Sequence, residues 1–469
     1  MTTIDLRTYQ HSAINQVRAA YQARRRAVLL VAPTGSGKTV MFSYIASSAV
    51  DRGGRVLILA HRQELIRQTS RTLAAFDVAH GLILPGHPAT EDAVQVASVQ
   101  TVVRRLERLD WQPTLIVVDE AHHATRTTGH GRVLAHFDTA RVLGVTATPQ
   151  RLDGQGLGTV AGGFFESLVS GPTVQELVTA GYLSRPVVYA PPGAPDLSGV
   201  RRIGGDFAAG ELAAVVDRPT ITGNAVTHYA RYCPGQPAIV FCASVAHAEH
   251  VAAAFSLAGY QAASIDGTMD DTTRAGRIAD LGTGALQVLT SCEIISEGTD
   301  IPVVGAAVLL RPTQSLGLYL QQVGRALRPF PGKTHATILD HVGNCHRHGL
   351  PDDDRVWTLE GRKRRKADPA PDLAVKQCPA CYTVHRPRPA CPSCGFVYPA
   401  SVRVVREVDG ELAEIQRSAA RDAAKQEQKD AKTLEDLRRI GAARGYHPGW
   451  AERVHAARQG RQPMSRASQ

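Results

Sequence analysis

No apolar run in this 469-residue chain approaches the length needed to cross a bilayer, so no membrane-spanning helix is expected. The polar start, Met1 to Arg7, lacks the basic-then-apolar pattern of a signal peptide. These two absences point to a cytoplasmic protein. A disulfide framework is also missing. Of the eight cysteines, Cys233, Cys242, Cys292 and Cys345 stand singly, mostly in apolar surroundings, and read as reduced core residues. Nor does most of the chain carry net charge. The first 360 residues balance, and the formal excess of +10 lies from Gly361 onward. A basic tail favours polyanions through counterion release, with nucleic acid the obvious candidate; a merely solvated tail is the alternative.

The length allows two or three domains, and 43% hydrophobic content supplies ordinary cores. Short β-branched runs alternate with helical stretches through residue 145: Val28–Ala32, Val56–Ala60, Val94–Ser98, Leu115–Val118 and Val142–Val145. The pattern resumes with Ala238–Cys242, Ala262–Ile265, Gln287–Ser291, Ala306–Leu310 and Ala336–Asp340. Continuous apolar strands between helices imply parallel sheets covered on both faces, hence two α/β domains. Between them, Ala190-Pro191-Pro192-Gly193-Ala194-Pro195 reads as an exposed loop near a hinge. After Arg355 come a basic run (Arg362 to Lys366), a Pro/Asp-rich linker, a cysteine cluster and a polar helical tail.

Ala32-Pro33-Thr34-Gly35-Ser36-Gly37-Lys38-Thr39 ends a strand-like run and opens a helix-like one. That is the context of a phosphate-binding loop, although Ala32 replaces its usual first glycine. Backbone amides from Thr34 through Gly37 would wrap the β-phosphate, Lys38 would neutralise the β- and γ-phosphates, and the Thr39 hydroxyl would hold magnesium. Asp119-Glu120-Ala121-His122 follows an apolar strand. Asp119 would ligand magnesium through water and Glu120 would polarise the attacking water. Gln322-Val323-Gly324-Arg325-Ala326-Leu327-Arg328 puts two arginines three apart on one helical face, suited to a γ-phosphate presented by another domain. Together these segments imply an ATP-driven motor.

Cys378-x-x-Cys381 and Cys391-x-x-Cys394, nine residues apart, suit tetrahedral zinc in a small ribbon that relies on the metal; a redox dithiol or iron–sulfur site is the alternative. His385 is surplus to four thiolates and is expected at the surface. His341, His346 and His348 with Asp340 and Asn344 could suggest a metal nuclease, but no paired-carboxylate cleft accompanies them. Tyr446 and Trp450 could stack on bases, dock a protein, or form the core of their own helical hairpin.

The order of these segments resembles the DEAH-type superfamily-two helicases over roughly residues 4 to 350. In that resemblance Gln10 would read the adenine edge, supported by Arg7. His61 and Arg62, with Gln100 and Thr101, would contact nucleic acid. His122, Thr146 and Thr148 would couple ATP to the strand, and Gly298 and Asp300 would touch ribose and nucleic acid. Gln322, Arg325 and Arg328 complete the catalytic set with Lys38, Asp119 and Glu120. The stretches Leu309–Ser315, Ile338–Asn344 and Gly445–Trp450 are similar to RadD-type DNA-repair helicases. The resemblance implies two RecA-like domains (1–155 and 216–357) joined by a connecting region (156–215), then a basic linker (358–375), a zinc ribbon (376–400) and a basic helical tail (401–469). It further implies ATP, magnesium and zinc as cofactors, DNA as partner more than RNA, and possible repair or replication proteins docking on the ribbon or tail. An RNA helicase, a restriction-complex motor and an ATP-gated clamp remain open.

Overall fold

Seven parallel strands form the sheet of the first lobe: β1 (Ala27–Val31), β2 (Val56–Ala60), β3 (His80–Ile83), β4 (Val94–Ser98), β5 (Leu115–Asp119), β6 (Arg141–Thr146) and β7 (Ser167–Ser170). Their order is β3-β4-β2-β5-β6-β1-β7. β1, β2 and β5 are buried along their whole length, as a sheet covered on both faces requires. One core, around Ile14, Phe42 and Ile58, fills one face; another, around Leu59, Val133 and Phe165, fills the other. Registers such as Leu29↔Gly144 and Val118↔Gly144 bring the C-terminal ends of β1, β5 and β6 to one edge, where parallel sheets carry their ligand loops.

This computed structural model describes residues 5–88, 90–151, 153–192, 194–292, 301–361, 375–399, 423, 426–447 and 449–458. Gly298 and Asp300, the basic run 362–366 and most of the expected linker lie outside them.

The second lobe is built on β8 (Pro186–Tyr189), β11 (Ala238–Phe241), β12 (Ala262–Ile265), β13 (Val288–Ser291), β14 (Ala306–Leu309) and β15 (Ala336–Asp340); a small hairpin, β9 (Arg202–Ile203) with β10 (Asp206–Phe207), stands apart. The ribbon strands β16 (Lys376–Gln377) and β17 (Thr383–His385) complete a sheet ordered β12-β13-β11-β14-β15-β8-β17-β16.

Three placements differ from the sequence reading. The segment expected to connect the lobes instead supplies a strand to each: β7 pairs with β1 (Val28↔Ser167) and β8 with β15 (Ile338↔Val188). Serines in β7 and a leading proline in β8 hide the apolar signature, yet both strands sit beside fully buried neighbours. The ribbon is not a detached module either. β17 pairs antiparallel with β8 (Val384↔Val188), and Val384 enters the second lobe's core with Leu350 and Ile338. Finally, the chain beyond the second lobe returns to the first. Trp357 and Leu359 pack on the core of Leu157 and Phe165, and Gly158 N–H donates to Leu359 O at 2.9 Å.

The C-terminal residues form a separate unit from Pro399. Within it, helices Leu434–Ala443 and Trp450–Arg458 enclose Leu437, Ile440 and Ala451, with Trp450 packed against them. Trp450 thus serves the hairpin's own core, with Tyr446 at 4.6 Å between ring centroids. No helix among the described residues is long and apolar enough to cross a membrane.

Candidate active site between the two lobes

The phosphate loop leaves β1 held by Ala32 N–H, which donates to Thr146 O at 3.0 Å. Gly35 and Gly37 adopt φ of +87° and +79°, a left-handed conformation that side chains resist. The helix beginning at Lys38 therefore presents N-terminal amides that no helical carbonyl satisfies. Lys38 Nζ turns back to Ala32 O (3.3 Å) and Pro33 O (3.5 Å), long contacts for an ammonium. Desolvation lowers its pKa against the opposing pull of Glu120 and Asp119, while Arg325 and Arg328 lower it further. One cation is thus surrounded by the carboxylates and arginines that the sequence separates by some two hundred residues.

Arg325 arrives on helix Leu316–Ala326 of the second lobe, N-capped by Ser315 Oγ, which accepts from Leu318 N–H at 3.1 Å; Arg328 lies two residues past the helix end, so the two arginines do not share one helical face as their spacing suggested. A Cβ at Gly324 would fall 2.7 Å from Thr34 Cβ, and one at Gly317 would fall 2.7 Å from Thr148 Oγ1. Only glycine lets this helix lie against the loop and the strand-end threonine. Gln322 and Arg325 are buried there, at 2% and 6% exposure.

Asp119 Oδ1 accepts from Glu120 N–H at 3.0 Å, and Glu120 itself takes φ +49°, an unusual value for a residue with a side chain. His122 Nδ1 lies 3.0 Å from Thr146 Oγ1 and 3.3 Å from Glu120 Oε2. Thr146 Oγ1 in turn donates to Thr148 O at 3.0 Å and accepts from Thr148 N–H at 3.2 Å. A continuous polar chain therefore runs from the glutamate to the residue against which the second lobe packs.

Gln10 is buried, and its amide is engaged locally. Its Oε1 accepts from Arg7 N–H at 2.9 Å and its Nε2 donates to Ser36 O at 3.3 Å. Tyr9 Oη donates to the same carbonyl at 2.8 Å, and the Arg7 guanidinium stands 4.1 Å over the Tyr182 ring. This segment thus braces the phosphate loop in the structure.

Of the expected nucleic-acid contacts, Arg62 precedes helix Gln63–Ala75 and Gln100 faces outward. Thr101 is only 6% exposed and points into the lobe. Sequence reading missed His123, whose ring lies 4.9 Å from His61 and 4.0 Å from His122. It also missed buried His130, whose pKa desolvation and these three neighbours lower to about 4. Two interlobe ion pairs escaped it as well: Arg67–Asp271 at 2.9 Å and Arg274–Glu64 at 3.2 Å. Long-range pairs of this kind leave no local signal.

The donor set fits a magnesium–nucleotide complex. Ser36 Oγ and Gln322 Oε1 are buried with no hydrogen-bond partner among the described residues, and Lys38 lies within the electrostatic influence of Glu120, Asp119, Arg325 and Arg328.

Cys378, Cys381, Cys391 and Cys394 bring their sulfurs within 4.8 Å of one another, with separations of 3.5 Å (Cys378–Cys394) and 3.7 Å (Cys381–Cys391). Zinc–sulfur bonds of about 2.3 Å in a tetrahedron require sulfurs about 3.7 Å apart. It is the sole metal-ligand cluster among the described residues. His385 corrects the sequence reading: it is buried, with Nδ1 2.7 Å from Arg386 O and Nε2 2.7 Å from Tyr398 Oη, not a surface residue. The histidines after β15 gather no metal site. His348 stacks on Tyr319 with Nε2 2.9 Å from Thr313 O, and His341 is buried beside His228.

Comparison with known proteins agrees with this geometry. Residues 3–151 match the family "Type III restriction enzyme, res subunit", and residues 224–329 match "Helicase conserved C-terminal domain". A 51.5 kDa protein of a Lactococcus phage (isolate 7-9) is 34% identical over 355 residues, covering 75% of this chain and 74% of its own. The "Putative ATP-dependent helicase IRC3" of Saccharomyces cerevisiae is 30% identical over 72% of this chain, which spans 51% of that protein's length. A fragment described as "a putative HsdR subunit of a type I restriction enzyme from Vibrio vulnificus YJ016" shares the fold, with TM-score 0.58 and 21% identity over 74% of this chain and 66% of its own. The chain belongs to the superfamily-two helicases, nucleic-acid-dependent motors that hydrolyse ATP.

Proposed function

We propose that the protein is a DNA-directed helicase or translocase of the RadD type, working in DNA repair or recombination in the cytoplasm. The observation that carries the motor cycle is the second-lobe helix seated on the phosphate loop, with Arg325 and Arg328 acting on the same lysine as Asp119 and Glu120. In this reading the residues from Thr34 to Thr39 bind the triphosphate. Thr39 and Asp119 would hold magnesium, which would supply positive charge to the bound phosphates. Glu120 orients water and takes its proton, Lys38 and the arginines neutralise the transferring group, and Gln322 lends its free carbonyl to the cleft. Arg7 and Gln10 brace the loop at the adenine side, with Gly298 and Asp300 assigned to the ribose. His61, Arg62 and Gln100 face the strand, with buried Thr101 supporting that segment from inside the lobe, and His122, Thr146 and Thr148 relay its occupancy to Glu120.

The four ribbon cysteines would hold zinc, and the ribbon or the basic tail would engage DNA or a repair or replication partner. A restriction-complex motor is the second reading, supported by the res-subunit match over residues 3–151. ATPase stimulation by single-stranded, duplex, forked and branched DNA and by RNA tests the proposal. Stimulation by DNA without any partner subunit is expected. Turnover driven by RNA alone, or silent until a nuclease or methylase subunit is added, would overturn it.

A further inference from the structure

We infer that Lys333 is a positioning residue of the motor: its ammonium group locks the C-terminal end of the arginine-bearing helix to the chain around Val304, and so fixes where Arg325 and Arg328 stand. The inference rests on the role proposed above for those arginines. Lys333 Nζ donates to Val304 O at 2.7 Å, to Arg328 O at 2.6 Å and to Ala326 O. Ala326 is the last residue of the helix, where carbonyls have no intrahelical donors and a cation is favoured by the peptide dipoles. The carbonyl between, Leu327 O, is taken by Ser184 N–H at 2.7 Å. Residues 326, 327 and 328 are therefore all pinned, two of them by one side chain.

An ammonium has three N–H groups, and all three are engaged here. Lys333 has no donor left for a phosphate and touches no reacting atom. Its third acceptor gives the bond its functional weight. Val304 lies two residues beyond the Glu297–Pro302 block that resembles the segment touching ribose and nucleic acid. Lys333 thus ties Val304 to the end of the arginine helix, so a shift of one is felt by the other. A three-point converging set of carbonyls suits a tetrahedral ammonium better than the planar fork of arginine. The turn that delivers it is closed by Lys333 N–H donating to Phe330 O at 3.0 Å, with Gly332 at φ +81°.

Burial, and then the Arg328 guanidinium, lower the Lys333 pKa to about 8. The other titratable neighbour is His335, itself beside Arg185, with its pKa lowered by burial and by those two cations. Deprotonation of Lys333 removes one of three donors, so an alkaline fall in turnover near that pH is expected from this residue.

Steady-state ATPase at saturating DNA, across pH 6.5 to 9.5, tests this on wild type, Lys333→Met, Lys333→Arg and Arg325→Ala, with melting temperatures recorded alongside. Lys333→Met should lower kcat on the order of tenfold to a hundredfold, as small misplacements of catalytic groups do, and leave KM for ATP and DNA affinity within about twofold. Its kcat should lose the wild-type decline above about pH 8. Lys333→Arg, which keeps the charge, should recover part of kcat and also lack that decline. Wild-type kcat in Lys333→Met, or an alkaline limb unchanged in it, overturns the inference while an inactive Arg325→Ala keeps the parent reading. So does a fall in kcat with KM and melting temperature moving in proportion, which would mark general unfolding. Wild-type turnover in Arg325→Ala removes the parent reading instead.

Discussion

Loss of the four-cysteine site should destabilise the second motor lobe as well as the ribbon. The perturbation is Cys378→Ser with Cys381→Ser, or chelation of the wild-type protein. Three sets of contacts tie the ribbon to the lobe. Val384 is buried in the lobe core, worth about 1.5–3 kcal/mol. The ladder of β17 on β8, continued by Ala190 N–H donating to Tyr382 O at 2.9 Å, contributes about 0.5–1.5 kcal/mol per bond. Arg386 pairs with Asp352 and Asp353 at 3.5 and 3.0 Å, but it is 48% exposed, so about 0–1 kcal/mol is appropriate. Some 3–5 kcal/mol of lobe stability therefore depends on the ribbon being folded. For a unit of this size about 2–4 °C accompanies each kcal/mol, which predicts a fall in melting temperature of roughly 10 °C. Calorimetry with parallel metal analysis reads the shift, and hydrogen exchange should report β8 and β15 opening faster. Stoichiometric metal loss with β8 still protected and the melting temperature lowered by less than about 2 °C would refute the reasoning and make the ribbon an independent appendage.

Three further outcomes are expected at the cleft. Glu120→Gln should retain ATP binding and lose turnover, because an amide cannot accept the water's proton; wild-type hydrolysis in a phosphate-release assay would contradict the assignment. Arg325→Ala should lower kcat on the order of a thousandfold with little change in nucleotide affinity, since the guanidinium acts mainly in the transition state; equilibrium nucleotide binding beside turnover checks the split. His122→Ala cuts the chain from Glu120 to Thr146, so basal ATPase should survive while stimulation by DNA falls by about tenfold or more. Equal stimulation in variant and wild type would assign the coupling elsewhere.

Much of the fold was readable because parallel strands are continuously apolar. Ten of them coincide with runs such as Val56–Ala60 and Ala306–Leu310, whose burial on both faces leaves no alternation to misjudge. β3, β7 and β8 were hidden because His80, Ser167, Ser170 and Pro186 break that pattern, and their pairing is decided by already buried neighbours. The glycine-rich turn after β1 and the strand-end position of Asp119-Glu120 were legible because backbone conformation restricts residue type locally. The burial of Thr101 was not legible: one residue's rotation on the short helix Val99–Arg105 decides whether a side chain meets solvent or core. The ribbon's four-cysteine cluster was visible in its spacing, but its attachment was not, since a β17–β8 pairing spans nearly two hundred residues with no motif at either end.

These two kinds of legibility meet in the cleft. Residue type underlies the roles proposed for Lys38, Glu120 and Arg325, while glycines let the elements that carry them approach. Gly324 and Gly317 carry no functional group, yet a Cβ at either would push the second-lobe helix off the first lobe by colliding with Thr34 or Thr148. The separation of arginine from phosphate loop is consequently set by backbone contact, and the ion pairs Arg67–Asp271 and Arg274–Glu64 span the same divide at the strand-facing helices. The divide is also crossed twice by the chain itself, once between β7 and β8 and again where Trp357 and Leu359 return to the first lobe. Two crossings restrict how far two lobes can part. Such a hinge suits a motor whose two lobes must meet in the same way in every cycle.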